Sequence, residues 1–270
     1  MAVLVFFVAH YFLSLFAQTF FLHRYSAHKM FTMSKGWEKF FHLFTFVAQG
    51  SSYLDPRGYA ILHRMHHAYS DTPGDPHSPT NHQGPWALFT MMWQTKTTYD
   101  AIAYGGPAPE SRFDGDTPSW PILEDLSRRW SVRLTWGALY FTFYVVFATE
   151  WWQFLLVPVH WLMGPIHGSI VNWCGHRYGY RNYDSSDVSR NMLPFDFLAM
   201  GELFQNNHHR HASRPNFANR WFEVDPCYQV MRVLSALGII RYVGKSPAAQ
   251  RSKTKDTAAI ARATTSGAQG

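Results

Sequence analysis

The N-terminal segment constrains the fold of this chain more than any other feature. Residues 2–22 contain no Asp, Glu, Lys or Arg, and a helix of that length can cross the roughly 30 Å of hydrocarbon in a bilayer. The segment lacks the basic start, the short apolar core and the small-residue cleavage site of a signal peptide. The sequence therefore predicts an all-α integral membrane protein with a first crossing at about residues 2–22.

A second apolar region extends from residue 134 to residue 171 and is interrupted near Glu150. The interruption predicts a helical hairpin whose two crossings lie at about residues 134–149 and 151–171. Arginines flank both outer ends of the hairpin, whereas the turn between its arms has no Lys or Arg. Because cytoplasmic loops carry the excess of these residues, the asymmetry places both outer ends in the cytoplasm. In a bacterial cell this would be the inner membrane.

The composition excludes several other classes of protein. Aromatic residues make up 17% of the chain, too many for a disordered protein, and two cysteines allow at most one disulfide.

Residues 246–270 hold four basic residues and one acidic residue, so they carry +3 of the net charge of +6. They are predicted to form a disordered basic tail after a membrane domain at 1–245. The tail has no interleaved aromatic residues, so no nucleic-acid partner is expected.

The 15 histidines are concentrated in short clusters. Neutral imidazole is the commonest metal ligand in proteins, and it suits Fe, Zn, Cu and Ni alike. An isolated histidine is more often hydrogen-bonded than metal-bound, and those at positions 42, 77, 82, 160 and 167 are predicted to be of this kind. The candidate metal-binding histidines are His23 and His28, then His63, His66 and His67, then the single His176, and finally His208, His209 and His211.

The spacing of the second cluster predicts a shared metal-binding face. At about 100° per residue, His63, His66 and His67 fall on one side of a helix and can converge on one point. His23 and His28 are five residues apart, about 140° around an ideal helix. That pair therefore requires an irregular turn, at the place where the first apolar run ends.

Four motifs occur in a fixed order: HRYSAH, HRMHHAYSDTPGDPHSP, VNWCGH and GELFQNNHH. Together they resemble the histidine boxes of the integral-membrane fatty acyl desaturases, in particular the acyl-CoA Δ9-desaturase-like branch. The resemblance covers about residues 5 to 230. It implies a cytosolic helical cap that carries a di-iron centre bound almost wholly by histidine. The implied ligands are His23, His28, His63, His66, His67, His176, His208 and His209, with Asn172 reaching one iron through a water molecule.

The third box departs from the family pattern at its first position. The family has HxxHH, whereas this chain has Gln205 in place of the first histidine. Three explanations stay open: one iron has fewer ligands, Gln205 holds a water molecule near the metal, or His211 replaces the missing ligand. His211 lies on the wrong face of a continuous helix for that role, so a supporting position for Gln205 is the preferred reading.

The resemblance also fixes the expected topology. All histidine boxes must face one side of the membrane, so the apolar residues 40–54 cannot cross and are predicted to form an interfacial helix. Three crossings then place the N-terminus outside the cell, and the boxes and the C-terminus in the cytoplasm. The lipid bilayer is accordingly one expected partner.

The implied activity is oxygen-dependent desaturation of a saturated fatty acyl chain, preferably an acyl thioester, to a cis double bond. No catalytic residue beyond the metal centre is assigned, and the substrate-binding residues are not identified. The sequence has no haem-binding His-Pro-Gly-Gly segment, so a separate ferredoxin, rubredoxin or cytochrome must supply electrons.

The nearest alternative is a di-iron hydroxylase or monooxygenase that acts on fatty acyl or alkyl chains. A membrane metal transporter is less favoured, because the boxes sit at helix ends rather than along a path through the membrane.

Overall fold

The computed structural model describes residues 1–243, and it is mostly helical. The predicted tail at 246–270 lies outside the described residues. The ten α-helices of the described part are α1 (Ala2–Phe16), α2 (Lys35–Gln49), α3 (Pro56–Tyr69), α4 (Ala87–Ala103), α5 (Pro121–Arg128), α6 (Trp130–Phe147), α7 (Val157–Trp161), α8 (Met163–Ser169), α9 (Gln205–Arg210) and α10 (Pro226–Ala236). Two short strands, β1 (Phe31–Met33) and β2 (Ile240–Tyr242), pair antiparallel with Phe31 opposite Tyr242.

The first helix does not end where α1 ends. It continues as a π-helical segment over Ala17–Ala27, so one apolar helix runs over Ala2–Ala27. The backbone N–H of His28 donates to the carbonyl oxygen of His23 at 3.1 Å, which is the five-residue hydrogen bond of a π-helix. Every residue from Ala17 to Ala27 is buried, and this segment packs against α2, α3 and α10.

The second predicted arm of the hairpin is broken, and the prediction of one helix over residues 151–171 is wrong in this respect. The helical stretches Trp151–Trp161 and Met163–Cys174 meet at an angle of 76°. Pro165 explains the break, because it has no N–H to donate to the carbonyl of Trp161 and its ring would collide with that carbonyl. The freed carbonyl oxygen of Trp161 accepts from the Ser51 hydroxyl at 3.3 Å instead.

Other boundaries follow from local chemistry. Asp55 caps α3, because its carboxylate accepts from the backbone N–H of Gly58 at 2.8 Å, and Pro56 occupies the first helical position, where a missing N–H costs nothing. Helix α6 begins at Trp130 and ends at Phe147, slightly before the predicted 134–149. The interfacial segment predicted at 40–54 forms the second half of α2 and a short 3₁₀ turn over Gly50–Ser52.

Two parts of the described chain have the length and apolar composition of a membrane span. One is the helix Ala2–Ala27, and the other is the bent pair Trp151–Trp161 and Met163–Cys174. The outward surface of α6 is also apolar, with Leu134, Leu139 and Val146 each more than half exposed. Such contiguous exposed apolar surface indicates contact with lipid or with another protein.

Candidate metal centre

Eight histidine side chains come together where the π-helical segment Ala17–Ala27, α3, α9 and the turn after the π-helical segment Ile170–Cys174 meet. They are the eight histidines that the resemblance implied as ligands. Their ring nitrogens fall into two groups, within each of which all candidate ligand atoms lie within 4.8 Å of one another. The five-histidine group contains His23, His28, His63, His67 and His208, and the three-histidine group contains His66, His176 and His209.

The π-helical segment brings the first pair together. In an ideal α-helix His23 and His28 would lie far apart around the axis, but a five-residue hydrogen bond places residues five apart on nearly the same side. Their ring centroids are 4.8 Å apart. The Nε2 atom of His28 lies 2.7 Å from Nε2 of His63, and Nε2 of His23 lies 3.1 Å from Nε2 of His208. The predicted irregular turn is thus the device that completes the five-histidine group.

Helix α3 supplies histidines to both groups, so the prediction that its three histidines converge on one point is wrong. His63 and His67 face each other, with their Nε2 atoms 3.0 Å apart. His66 turns instead toward His209, at 3.2 Å between Nε2 atoms. The reason is helical geometry, since at 100° per residue His66 and His67 point in clearly different directions. Helix α3 therefore lies between the two groups and joins them.

Buried or half-buried carboxylates lie against the second ring nitrogen of four histidines. In the three-histidine group, Nδ1 of His66 lies 2.8 Å from Asp75, Nδ1 of His176 lies 2.9 Å from Asp71, and Nδ1 of His209 lies 2.9 Å from Asp187. In the five-histidine group, Nδ1 of His23 lies 2.6 Å from Glu202. A carboxylate at Nδ1 fixes the tautomer and leaves Nε2 free to bind a metal.

Electrostatics favours neutral imidazoles in this cluster. Burial lowers the pKa of His63, His67 and His208 well below the usual range, and the neighbouring histidines lower each pKa further. Burial alone would raise the pKa of Asp187, but the hydrogen bond from His209 holds it below its usual range. These three rings are therefore held in the neutral form and the Asp187 carboxylate in the ionised form, which is the state required for metal binding.

Gln205 belongs to neither group of histidines. Its amide Nε2 donates to the backbone carbonyl oxygen of Glu202 at 2.6 Å, and its side chain packs against Gly175, where an added Cβ would lie 2.5 Å from its Cγ. His211 follows the end of α9, and its ring contacts Tyr183 with 5.0 Å between ring centroids. The structure thus places His211 away from both groups.

Sequence reasoning missed His77, which was assigned a structural role. Its ring centroid lies 4.3 Å from that of His66, and its nitrogen can approach His66 and Asp75 closely enough to form a third possible ligand set. Burial lowers the pKa of His77 to about 4. The second motif did contain a signal, because it carries Asp71, Asp75 and His77 within ten residues of His67.

A cavity of about 800 Å³ lies beside the histidines. Its wall includes polar groups from the site, among them His77, Asn172 and Gln205, and a larger apolar surface contributed by residues such as Leu62 and Val171. Lys96 also borders the cavity, and its side chain is more than half exposed, so the cavity reaches the protein surface. Its volume and apolar character are those of a small-molecule or acyl-chain site.

The fold and the site define a largely helical protein with a long apolar helix, a buried cluster of histidines and an adjoining apolar cavity. The family model described as "Fatty acid desaturase" matches residues 1–232, and the chain belongs to this family. It is an oxidoreductase that acts on fatty acyl chains in an oxygen-dependent desaturation.

Relatives with assigned names agree with this family. "Delta-9 desaturase-like 5 protein" of Arabidopsis thaliana is 29% identical over 82% of this chain and 70% of its own length. "sn-1 stearoyl-lipid 9-desaturase" of Synechocystis sp. is 28% identical over 83% of this chain and 66% of its own. "Hex-5-enoyl-[acyl-carrier protein] acetylenase" of Moorena producens is 28% identical over 91% of this chain and 78% of its own.

Proposed function

We propose that this chain is a membrane-bound di-iron desaturase that introduces a cis double bond into a saturated fatty acyl chain. The observation that carries the proposal is the position of the two histidine groups. Helix α3 joins them through His66 and His67, which are consecutive in sequence. An apolar cavity of about 800 Å³ adjoins the five-histidine group at His23 and His63, and it is also lined by Asn172 and Gln205. A pair of metals beside a long apolar cavity suits the oxidation of an unactivated methylene group.

The residues of the site fit a pair of iron ions. Imidazole is a suitable ligand for iron, and the Nε2 atoms of each group point toward one another. The proposed ligands of one iron are the five-histidine group, and those of the other are the three-histidine group with Asn172 acting through a water molecule. When bound, the irons would activate dioxygen for removal of two hydrogens from adjacent carbons.

The protein itself supplies orientation and a dry cavity. Asp71, Asp75 and Asp187 hold the rings of the three-histidine group in place through Nδ1. Val171 and Leu62 give the cavity apolar walls next to His63, which exclude water and align an acyl chain past the site. Because neighbouring methylenes are chemically alike, the position of the chain in this cavity determines which carbons react.

The acyl carrier is proposed to present a phosphate group at the open part of the cavity. The relatives are named for lipid-linked and carrier-protein-linked substrates, and phosphate is common to phospholipids, coenzyme A and acyl carrier protein. Lys96 and Arg133 both border the cavity, and their positive charges suit this group. The proposed substrate of this chain is an acyl thioester.

An external electron donor completes the reaction. Reduction of dioxygen to two water molecules takes four electrons, of which the carbon–hydrogen bonds supply two. The described chain offers no flavin or haem motif for the others, so a ferredoxin, rubredoxin or cytochrome is the proposed donor. The proposed topology has the N-terminus outside the cell and three crossings, so the histidine groups would face the cytoplasm, where such a donor is found.

The test is product analysis with the purified protein, iron, a reductase-coupled donor and a saturated acyl substrate. Mass spectrometry distinguishes the outcomes directly. Loss of two hydrogens with a new cis double bond supports the proposal, whereas gain of one oxygen atom would assign the chain to the hydroxylases. A substrate returned unchanged by an iron-loaded, reduced protein would contradict both oxidations.

A further inference from the structure

The two histidine groups are unequal in ligand number. One group offers five imidazoles and the other three. The smaller group lies next to the position at which the third motif departs from its family pattern, which explains its smaller number of ligands. That position is Gln205.

Position 205 belongs to the three-histidine side of the cluster. Gln205 precedes His209 by four residues on α9, so the two side chains share one face of that helix. Its side chain also packs on Gly175, the residue directly before His176. A histidine at position 205 would therefore lie beside His176 and His209, where a fourth ligand is missing.

Gln205 does not replace that ligand. Its Nε2 is committed to the carbonyl oxygen of Glu202, and an uncharged amide oxygen binds iron less well than imidazole. Two other histidines are near enough to consider. His211 contacts Tyr183 instead, and His77 groups with His66 and Asp75 but not with His176 or His209. Within residues 1–243, no side chain restores a fourth imidazole.

The three-histidine group also borders a cavity at the protein surface. His209 borders a polar surface cavity of about 610 Å³, together with Asp187 and Arg210, so water can reach this side of the cluster. His67 borders the same cavity, but four other imidazoles share its group. The carboxylates behind the smaller group orient its rings and strengthen them as ligands. They act through the imidazoles, however, and occupy no coordination position themselves.

We infer that the three-histidine group is the exchangeable metal position of this protein: it fills second, loses its metal first, and is weak because position 205 carries Gln. A form with one metal, in the five-histidine group, accumulates when metal is scarce. The inference rests on the proposed function only for the identity of the metal as iron. If this inference holds, activity depends on whether metal is available to the three-histidine group.

The test is a metal titration of the metal-free full-length protein in detergent, with Co²⁺ as the probe. Absorption of histidine-bound Co²⁺ reports binding, and metal analysis after exposure to a chelator reports retention. The wild-type protein is expected to bind in two steps whose affinities differ by at least about tenfold, the lower end of the effect of even an outer-shell change. Gln205→His should strengthen the weaker step by at least that factor and leave the tighter step unchanged.

Three further variants make the result decisive. His211→Ala is the matched control, and it should leave both steps as in the wild type. His176→Ala should remove the weaker step alone, whereas His28→Ala leaves four imidazoles in the larger group and should weaken only the tighter step. These two variants keep the test valid even if Gln205→His does not fold. Equal affinities in the wild type, or loss of the tighter step in His176→Ala, would overturn the inference. A protein that binds Co²⁺ in two steps but desaturates nothing would refute the proposed function and leave this inference standing.

Discussion

His63 and His66 are three residues apart on α3, yet their side chains belong to different histidine groups. His63 faces His28 at 2.7 Å between Nε2 atoms, and His66 faces His209 at 3.2 Å. One turn of helix thus sets the spacing of the two proposed metal positions. Because the helix is rigid over this turn, the two positions keep a fixed relation to each other.

Replacing His66 by Ala is expected to abolish desaturation. The three-histidine group would keep two imidazoles, too few to hold a metal in a defined geometry. Iron analysis of the purified variant should show about half of the wild-type content. His82→Ala is the matched control, because the His82 ring hydrogen-bonds to Thr90 and lies in neither histidine group. A His66→Ala variant with full activity and full iron content would refute the assignment.

Asp71 is expected to act as a positioning residue. Its carboxylate contacts Nδ1 of His176 and accepts from the backbone N–H of Val188, so Asp71→Asn should lower metal affinity or activity about 10–100-fold without abolishing it. Asn tolerates the left-handed backbone of this position, where φ is 59°. The affinity is measured by chelator competition.

The exposed residue Asp184 provides the control for this experiment. Asp184→Asn removes one negative charge from the same region without touching a described histidine. A loss of affinity in Asp184→Asn as large as that in Asp71→Asn would show that general charge, and not the contact with His176, accounts for the effect.

The cavity is expected to select acyl chains by fit. Val171 lines the cavity, whereas its neighbour Ile170 does not. Val171→Phe places a larger side chain next to the site and should reduce conversion of the longest accepted chains several-fold relative to shorter ones, because overpacking excludes ligand volume. Competition between acyl chains of different length in one reaction measures this selectivity. The same shift in Ile170→Phe would show that helix distortion, not cavity volume, is responsible.

The proposed topology predicts that the turn after α6 faces outward. A single cysteine at Thr149, in a background in which Cys174 and Cys227 are replaced by Ser, should react with a membrane-impermeant thiol reagent added to intact cells. A cysteine at Asp184 should react only after the membrane is opened. Labelling in the opposite pattern would invert the topology, and labelling of both sites in intact cells would exclude it.

Much of the site could be predicted from the sequence because imidazole clusters at these spacings have few other uses. All eight implied histidines lie in the cluster. Their partition was not predictable from spacing alone, since side chains within about 100° of one another around a helix can reach either one metal or two. The outcome depends on where His28 and His209 approach α3, and those contacts join segments far apart in the chain.

Other features depend on tertiary contacts that no local pattern contains. Asp187 reaches His209 from a loop 22 residues away in sequence, and Glu202 reaches His23 across most of the chain. The break in the second arm of the hairpin had a local cause, since Pro165 cannot continue a helix past Trp161. The sequence prediction of one helix over residues 151–171 rested on the apolar composition of the segment and did not take Pro165 into account.

The most direct test of the central claim is the fatty acid profile of a host that has no desaturase of its own and that also produces a suitable redox donor. Cells that express the wild-type chain are predicted to accumulate a monounsaturated acyl product in aerobic culture. Cells that express His67→Ala at the same level are predicted to contain none, because the five-histidine group is then incomplete. An unchanged profile with the wild-type protein, present in the membrane and loaded with iron, would contradict the account.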